Sequence, residues 1–365
     1  MKVTRLKLNY FRNYTSLDIS PGGGINVIIG DNAQGKTNAI EAIFLCALAR
    51  SHRTPRDAEM IMNGCAGGYA GVDIRGAGIS HSIEIKLIEQ ERKKIFVDKQ
   101  LLGKTGELMG IINVVMFSPE DLSLVKQGPA ERRRFMDMEL CQLQPAYYYR
   151  LQQYNTALRQ RNAMLKGDAG AVKPGMLVMW DEQLATLGES IMNARSAFID
   201  ELSIIASNLH NTISGDKERL AVYYMPNVAM DGPLSLHDTL MEALMRNAAE
   251  DMRRGFTAVG PHRDDIGIRL NDTEVRVYGS QGQQRTAALS IKLSELELMR
   301  SRKGESPVLL LDDVFSELDA SRSRLLLTAM EDCQCFLTCT SLGEIKEAGF
   351  KDMSIYNCAG GVLKQ

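Results

Sequence analysis

Residues 30–37 read GDNAQGKT, a G-x-x-x-x-G-K-T pattern. Glycines at 30 and 35 let a backbone wrap closely around phosphate oxygens with its N–H groups turned inward. In such a loop Gly30, Asp31, Asn32, Ala33, Gln34 and Gly35 form the cradle. Lys36 then reaches the β- and γ-phosphates, and the Thr37 hydroxyl ligates Mg2+. About 275 residues further on, VLLLDD ends in Asp312 and Asp313. Beside a phosphate loop the first acid holds Mg2+ through water, and the second, Asp313, orients or deprotonates the attacking water. A third stretch, GSQGQQR (279–285), precedes the paired acids by about 25 residues and opens a helical pattern. Ser280, Gly282 and Gln283 make it a second anion-binding helix end; the same residues also suit a polar turn that only caps a helix.

These groups work only if strand and helix ends hold them. INVIIG (25–30) is a β-branched run that reads as a fully buried strand. KTNAIEAIFLCALAR (36–50) has apolar residues at 40, 43, 44, 47 and 48, a helical spacing. The motif therefore lies on strand, loop and helix. PVLLLDD (307–313) and CQCFLTCT (333–340) read as two more buried strands, with a helix over roughly 284–302 before them. Alternation in Val3–Asn9 predicts an edge or half-buried strand, and residues 51–115 hold further strand candidates: GGYAGVDIRG, HSIEIKLI, KKIFVD and INVVMF.

From Pro119 the texture turns helical. Leu140, Leu143, Tyr147, Leu151, Tyr154 and Leu158 follow a helical spacing, with Pro145 starting a new helix. KGDAGAVKPG (166–175) reads as a loop, and helices are expected over roughly 178–210 and 234–254, with strand-like LAVYYM (220–225) between them. DIGIRL (265–270) and TEVRVYG (273–279) read as strands. The fold class is α/β with a helical insert: one lobe from 1–116 and 256–365, and a second lobe from 117–255.

Bulk properties narrow the setting. The 365 residues are 44% hydrophobic and 24% charged with a net charge of −2, ordinary for a globular protein and without a global basic field. Seven scattered cysteines form no C-x-x-C pair, so buried reduced thiols are a better reading of Cys333, Cys335, Cys339 and Cys358 than a metal site. The N-terminus has no continuous apolar core of a signal peptide, and the longest apolar stretch, near Ala39–Ala49, is far too short to span a bilayer. A cytoplasmic protein with no membrane contact fits.

Two phosphate-binding helix ends, a double acid and SELD (316–319) resemble the ABC-type ATPases, in which the signature segment of one subunit closes over the nucleotide held by the other. The ordered set LNYFRNY (8–14), GDNAQGKTNAIEAI, FSPEDL (117–122), RRRFMD (132–137), GPHRDD (260–265), SQGQQR and LLLDDVFSELD resembles the RecF family of bacterial recombination mediators from end to end. The resemblance implies an ABC-type P-loop ATPase head with an inserted helical lobe, using ATP and Mg2+. It implies an ATP-dependent homodimer that binds double-stranded DNA and single-stranded/double-stranded junctions at gaps. It further implies work with RecR and RecO type mediators, recombinase loading, a part in the SOS response, and a weak DNA-stimulated ATPase. Arg12 in FRNY lies near the nucleotide on this resemblance; a salt bridge beside the first strand explains it as well. His262 in GPHRDD reads more simply as a structural hydrogen-bonder. An ABC-transporter ATPase subunit and a small-molecule kinase are the rival readings; the first usually carries a switch His, and the second does not need SQGQQR, D-D and SELD.

Charge in the insert is uneven. Residues 126–173 hold nine Lys/Arg and four Asp/Glu, whereas 177–255 hold six and twelve. Arg132, Arg133, Arg134, Arg159 and Arg161 are candidate DNA-phosphate contacts. Three consecutive arginines cannot all face one way on a helix. A solvated face, paired to the acidic half, is the competing explanation.

Overall fold

The computed structural model describes residues 1–76, 78–166, 174–341, 343 and 353–365, so most of the 166–175 loop expected from the sequence lies outside the described residues. The chain divides into two compact units, Met1–Leu122 with Ala288–Gln365, and Ser123–Ala287.

The first unit starts with strands β1 (Lys2–Phe11), β2 (Tyr14–Ile19) and β3 (Ile25–Ile29), helix α1 (Lys36–Leu48), and strands β4 (Gly67–Gly76), β5 (Ile79–Ile88), β6 (Lys94–Val97), β7 (Gln100–Leu101) and β8 (Val114–Phe117). One six-stranded sheet runs β2-β1-β4-β5-β6-β7 and is antiparallel throughout. β1 alternates between buried and exposed positions, as its sequence requires, yet it is an interior strand; the edge belongs to β2, whose residues carry little strand pattern.

The second unit contains α2 (Ser123–Lys126), α3 (Pro129–Leu143), α4 (Pro145–Leu165), α5 (Val178–Ser214), β9 (Leu220–Met225), α6 (Leu236–Arg254), β10 (Asp265–Leu270), β11 (Thr273–Glu274) and α7 (Val275–Tyr278). Pro129 and Pro145 stand in the first turns of α3 and α4, where a missing N–H costs nothing. β10 pairs antiparallel with β9 and β11 in a three-stranded sheet. The insert is therefore not wholly helical. Its boundaries also fall later than the expected 117 and 256, because pairing with β9 draws the 256–287 stretch into this unit. The expected strand over 273–279 stops after Glu274. Gly279 N–H and the Gln284 amide both bond the Val275 carbonyl, which curls the chain into α7 and leaves Val277 and Tyr278 exposed.

The chain continues as α8 (Gln281–Lys303), β12 (Val308–Asp312), α9 (Ala320–Met330), β13 (Cys335–Cys339), β14 (Met353–Ala359) and β15 (Val362–Lys364). In the first unit β12 to β15 join earlier strands in a sheet of order β15-β14-β3-β13-β12-β8, parallel except for β15. Its central strands, buried on both faces, explain the unbroken apolar runs. α1 is mostly apolar and nearly enclosed, with eleven of its thirteen residues buried, Glu41 among them.

Candidate nucleotide-binding site

The site is built where parallel strands end. β3 runs into Gly30–Gly35, and α1 begins at Lys36. Gly35 has φ +112°, a left-handed backbone that glycine adopts without steric cost, and its Cα faces the Asn13 side chain at a distance that leaves no room for a Cβ. Lys36 is buried, and its Nζ is held by the carbonyls of Gly30 (2.5 Å) and Asp31 (3.0 Å) along the loop.

Two strands away, β12 ends at Asp312 beside Thr338 of β13. The Thr37 hydroxyl donates to Asp312 Oδ1 at 2.8 Å, and the Thr338 hydroxyl donates to the same oxygen at 2.7 Å. Asp313 N–H in turn donates to Thr338 Oγ1 at 2.9 Å. Asp313 takes φ +53°, a left-handed conformation that Asp tolerates better than most side chains. One hydroxyl thus orients the first acid through its carboxylate and the second through its backbone.

Thr37 and Asp312 present a hydroxyl and a carboxylate oxygen side by side, hard donors that suit Mg2+. Among the described residues no group of three or more His, Cys, Asp or Glu could hold a metal ion. A cation placed here would meet only this pair from the protein, with its other positions left for phosphate and water.

A cleft of about 530 Å³ unites Asn32, Ala33, Gly35, Lys36, Thr37, Asp312 and Asp313. It also takes in residues that sequence reasoning missed: Asn38, His52 and Arg53 from α1 and the segment after it, Ser118–Glu120 after β8, and Thr338. Sequence showed Thr338 near the end of a buried strand, but only the pairing of β13 with β12 sets its hydroxyl beside the acids. Arg53 donates to Asn38 Oδ1 at 3.0 Å.

Arg12 is not among the cleft-lining residues. It occupies the turn between β1 and β2, and its guanidinium grips Glu41 of α1 with two bonds of 2.8 and 2.6 Å and the Glu59 carbonyl with a third of 2.6 Å. Glu41 is fully buried. Burial alone would raise its carboxyl, but bonds from Arg12 and Ser51 outweigh that and hold it below the usual carboxylate range. Arg12 therefore fixes the helix that follows the phosphate loop, through a buried partner the sequence did not reveal.

In the second unit, the Ser280 hydroxyl accepts from Gln283 N–H at 3.2 Å while Gln283 Oε1 accepts from Ser280 N–H at 2.8 Å, a reciprocal capping box at the start of α8. Gln283 Nε2 also reaches Glu218 Oε1 at 2.7 Å. Gly282 is exposed at this helix end.

The DNA candidates separate sharply. Arg161 is completely buried, donating to Asp181 (2.7 Å), Asp251 (2.6 Å) and the Thr257 hydroxyl (2.9 Å). Arg132 is 5% exposed and doubly bonded to Asp265 at 2.6 and 2.9 Å. Both expectations are corrected: each arginine neutralises buried or half-buried acids and has no face to offer a phosphate. Helical periodicity in this polar region did not reveal which arginines point inward. Arg133 donates to the Asp264 carbonyl, Arg134 lies 3.8 Å from Glu131, and Arg159 is exposed with a bond to Thr156. His262 accepts from Tyr154 OH or donates to it at 2.8 Å and meets the Thr257 carbonyl at 3.0 Å; burial, reinforced by Arg263, Arg133 and Arg195, pulls it down to about 4. The seven cysteines are free thiols, six of them buried.

Residues 2–358 match the model of the RecF/RecN/SMC N terminal domain. The chain is 44% identical over 359 residues to the DNA replication and repair protein RecF of Alkaliphilus oremlandii, covering 98% of each chain. It is 41% identical over 364 residues to the same protein of Clostridium tetani, covering 99% of each. Among solved structures it is similar to one described as the recombination mediator protein RecF-ATPrS in the RecFOR pathway, with a TM-score of 0.92, 34% identity, and coverage of 99% of this chain and 97% of that one. An Smc head bound to the C-winged helix domain of ScpA shares the fold, with a TM-score of 0.57, 14% identity, and coverage of 100% and 96%. The two phosphate-site elements thus sit in a chain that matches its relatives along nearly its whole length: it belongs to the RecF/RecN/SMC family and, within that family, to the RecF proteins of DNA replication and repair.

Proposed function

We propose that this protein is an ATP-gated DNA-binding dimer of recombinational repair. It binds double-stranded DNA at junctions with single-stranded gaps, works with RecR and RecO type mediators to load recombinase there, contributes to the SOS response, and acts in the cytoplasm. The observation that carries the reading is the Thr37–Asp312–Thr338–Asp313 chain of bonds across the mouth of the phosphate loop. Asn32, Ala33 and Gly35 would line the triphosphate, Lys36 would turn from the loop carbonyls to the β- and γ-oxygens, and Thr37, with Asp312 acting through water, would hold Mg2+. Bound there, Mg2+ would supply charge neutralisation to the phosphates. Asp313, fixed at its backbone by Thr338, orients the attacking water. The Ser280–Gln283 helix end, with its Ser280 and Gln283 N–H groups held in the capping box, would bring the Ser280 hydroxyl and the exposed Gly282 to the nucleotide of a second copy, which would link hydrolysis to dimerisation.

Full-length similarity to RecF proteins leaves the transporter reading without support, and among the described residues no helix is long and apolar enough to cross a membrane. The test is fluorescence anisotropy of double-stranded DNA with and without ATP·Mg2+, for wild type and Lys36→Met. Tightening by ATP in wild type, lost in the variant, is the expected result. No DNA binding in either state at low salt would overturn the proposal.

A further inference from the structure

Two segments far apart in sequence, around Asn13 and Cys358–Gly361, converge on one peptide group of the phosphate loop. The carbonyl of Gln34 accepts from Asn13 Nδ2 at 2.8 Å, from Gly361 N–H at 3.1 Å and from the Cys358 thiol at 3.4 Å. The Gln34 side-chain oxygen accepts from Gly360 N–H at 2.6 Å. Asn13 Oδ1 accepts from Asn38 Nδ2 at 2.8 Å in the first turn of α1, and the buried Tyr14 hydroxyl donates to the Gly35 carbonyl at 3.0 Å. Sheet order brings these groups together: β14 lies directly beside β3, with Asn357 opposite Ile29, so the turn after β14 emerges next to the loop after β3.

We infer that Asn13 and the Gly360–Gly361 turn are positioning residues for the phosphate loop and set its affinity for a triphosphate. The inference rests on the reading of the cleft as an ATP site. Its physical basis is the planar trans peptide, in which C=O and N–H point in opposite directions. Donors from the two turns hold the Gln34 oxygen away from the cleft, so the Gly35 N–H of the same peptide faces the side where the phosphates sit. A loop of this kind binds anions through such N–H groups, and a rotated peptide would present an oxygen instead. Packing alone does not call for so many donors on one carbonyl.

The turn offers a matched pair of substitutions. Gly360 and Gly361 both have left-handed backbones, at φ +53° and +75°, so alanine strains both in the same way. A Cβ at 360 meets nothing within 4 Å, whereas a Cβ at 361 would lie 2.1 Å from the Asn13 carbonyl oxygen. Only Gly361→Ala therefore forces Asn13 and the turn apart.

Melting temperature and the Kd of N-methylanthraniloyl-ATP with Mg2+ would be measured for the full chain. Both variants should lose thermal stability through the shared backbone strain, Gly361→Ala the more because of its added clash. Gly361→Ala should weaken nucleotide binding about tenfold, the scale of one lost hydrogen bond, and Gly360→Ala less than about twofold. Asn13→Ala should match Gly361→Ala, and the double variant should be no weaker than the weaker single. Should Gly361→Ala fail to fold, Asn13→Asp serves: it keeps the oxygen that accepts from Asn38 but loses the donor to Gln34, and it should weaken binding like Asn13→Ala. Equal losses at 360 and 361, or full affinity in both Asn13 and Gly361 variants despite a lower melting temperature, would overturn the inference. A wild type that binds no nucleotide would overturn the ATP reading first, and this one with it.

Discussion

At the residue scale the decisive group is Asp313. Its φ of +53° favours Asp and Asn over a longer side chain, which gives a backbone reason for a second Asp where many ABC-type ATPases carry Glu. The shorter acid positions water less well, so turnover should stay at or below about 1 s⁻¹, the slow end of the enzyme range. Asp313→Asn preserves the backbone preference and removes the base. Steady-state ATPase assays should show a loss of about a hundredfold or more, while nucleotide affinity and melting temperature stay near wild type. A variant that hydrolyses ATP normally would remove Asp313 from the chemistry.

At the element scale, two of the three arginines of α4 have opposite fates. Arg161 ties α4 to Asp181 of α5 and Asp251 of α6 inside the second unit. Removing it leaves two acids without their shared cation, so Arg161→Ala should destabilise by about 3–5 kcal/mol, readable by denaturant titration. Arg159 points outward on the same helix. Arg159→Ala should keep the melting temperature and weaken DNA binding uniformly across sequences, lowering the slope of log affinity against log salt by about 1. An unchanged salt slope would take Arg159 out of the DNA surface.

At the scale of the whole molecule the prediction concerns two copies. If each site combines the phosphate loop of one copy with the Ser280 helix end of the other, Lys36→Met and Ser280→Arg should each be inactive alone. Mixed in equal amounts they should recover about a quarter of wild-type ATPase, since random pairing makes half the dimers mixed and each has one intact site of two. No recovery on mixing, with both variants folded, would argue for a site complete within one chain.

What the sequence alone determined was the local chemistry. The phosphate loop, the acidic strand end and the strand–loop–helix context are short-range patterns, legible because glycine placement, β-branched runs and helical spacing act within a few residues. Burial of β3, β12 and β13 followed from their unbroken apolar runs, whereas the near-complete burial of α1 did not show in its helical spacing. Tertiary structure alone decided which polar groups face one another. Arg12 meets Glu41, Arg132 meets Asp265, and Arg161 meets Asp181 and Asp251, across separations from 20 to 133 residues. A charged residue reads alike in sequence whether its partner is water, a phosphate or a buried acid. Only strand order and helix packing distinguish them, by setting which desolvated charges need compensation. The same holds for β14: its place beside β3, invisible in its own residues, is what brings Gly361 to the Gln34 carbonyl.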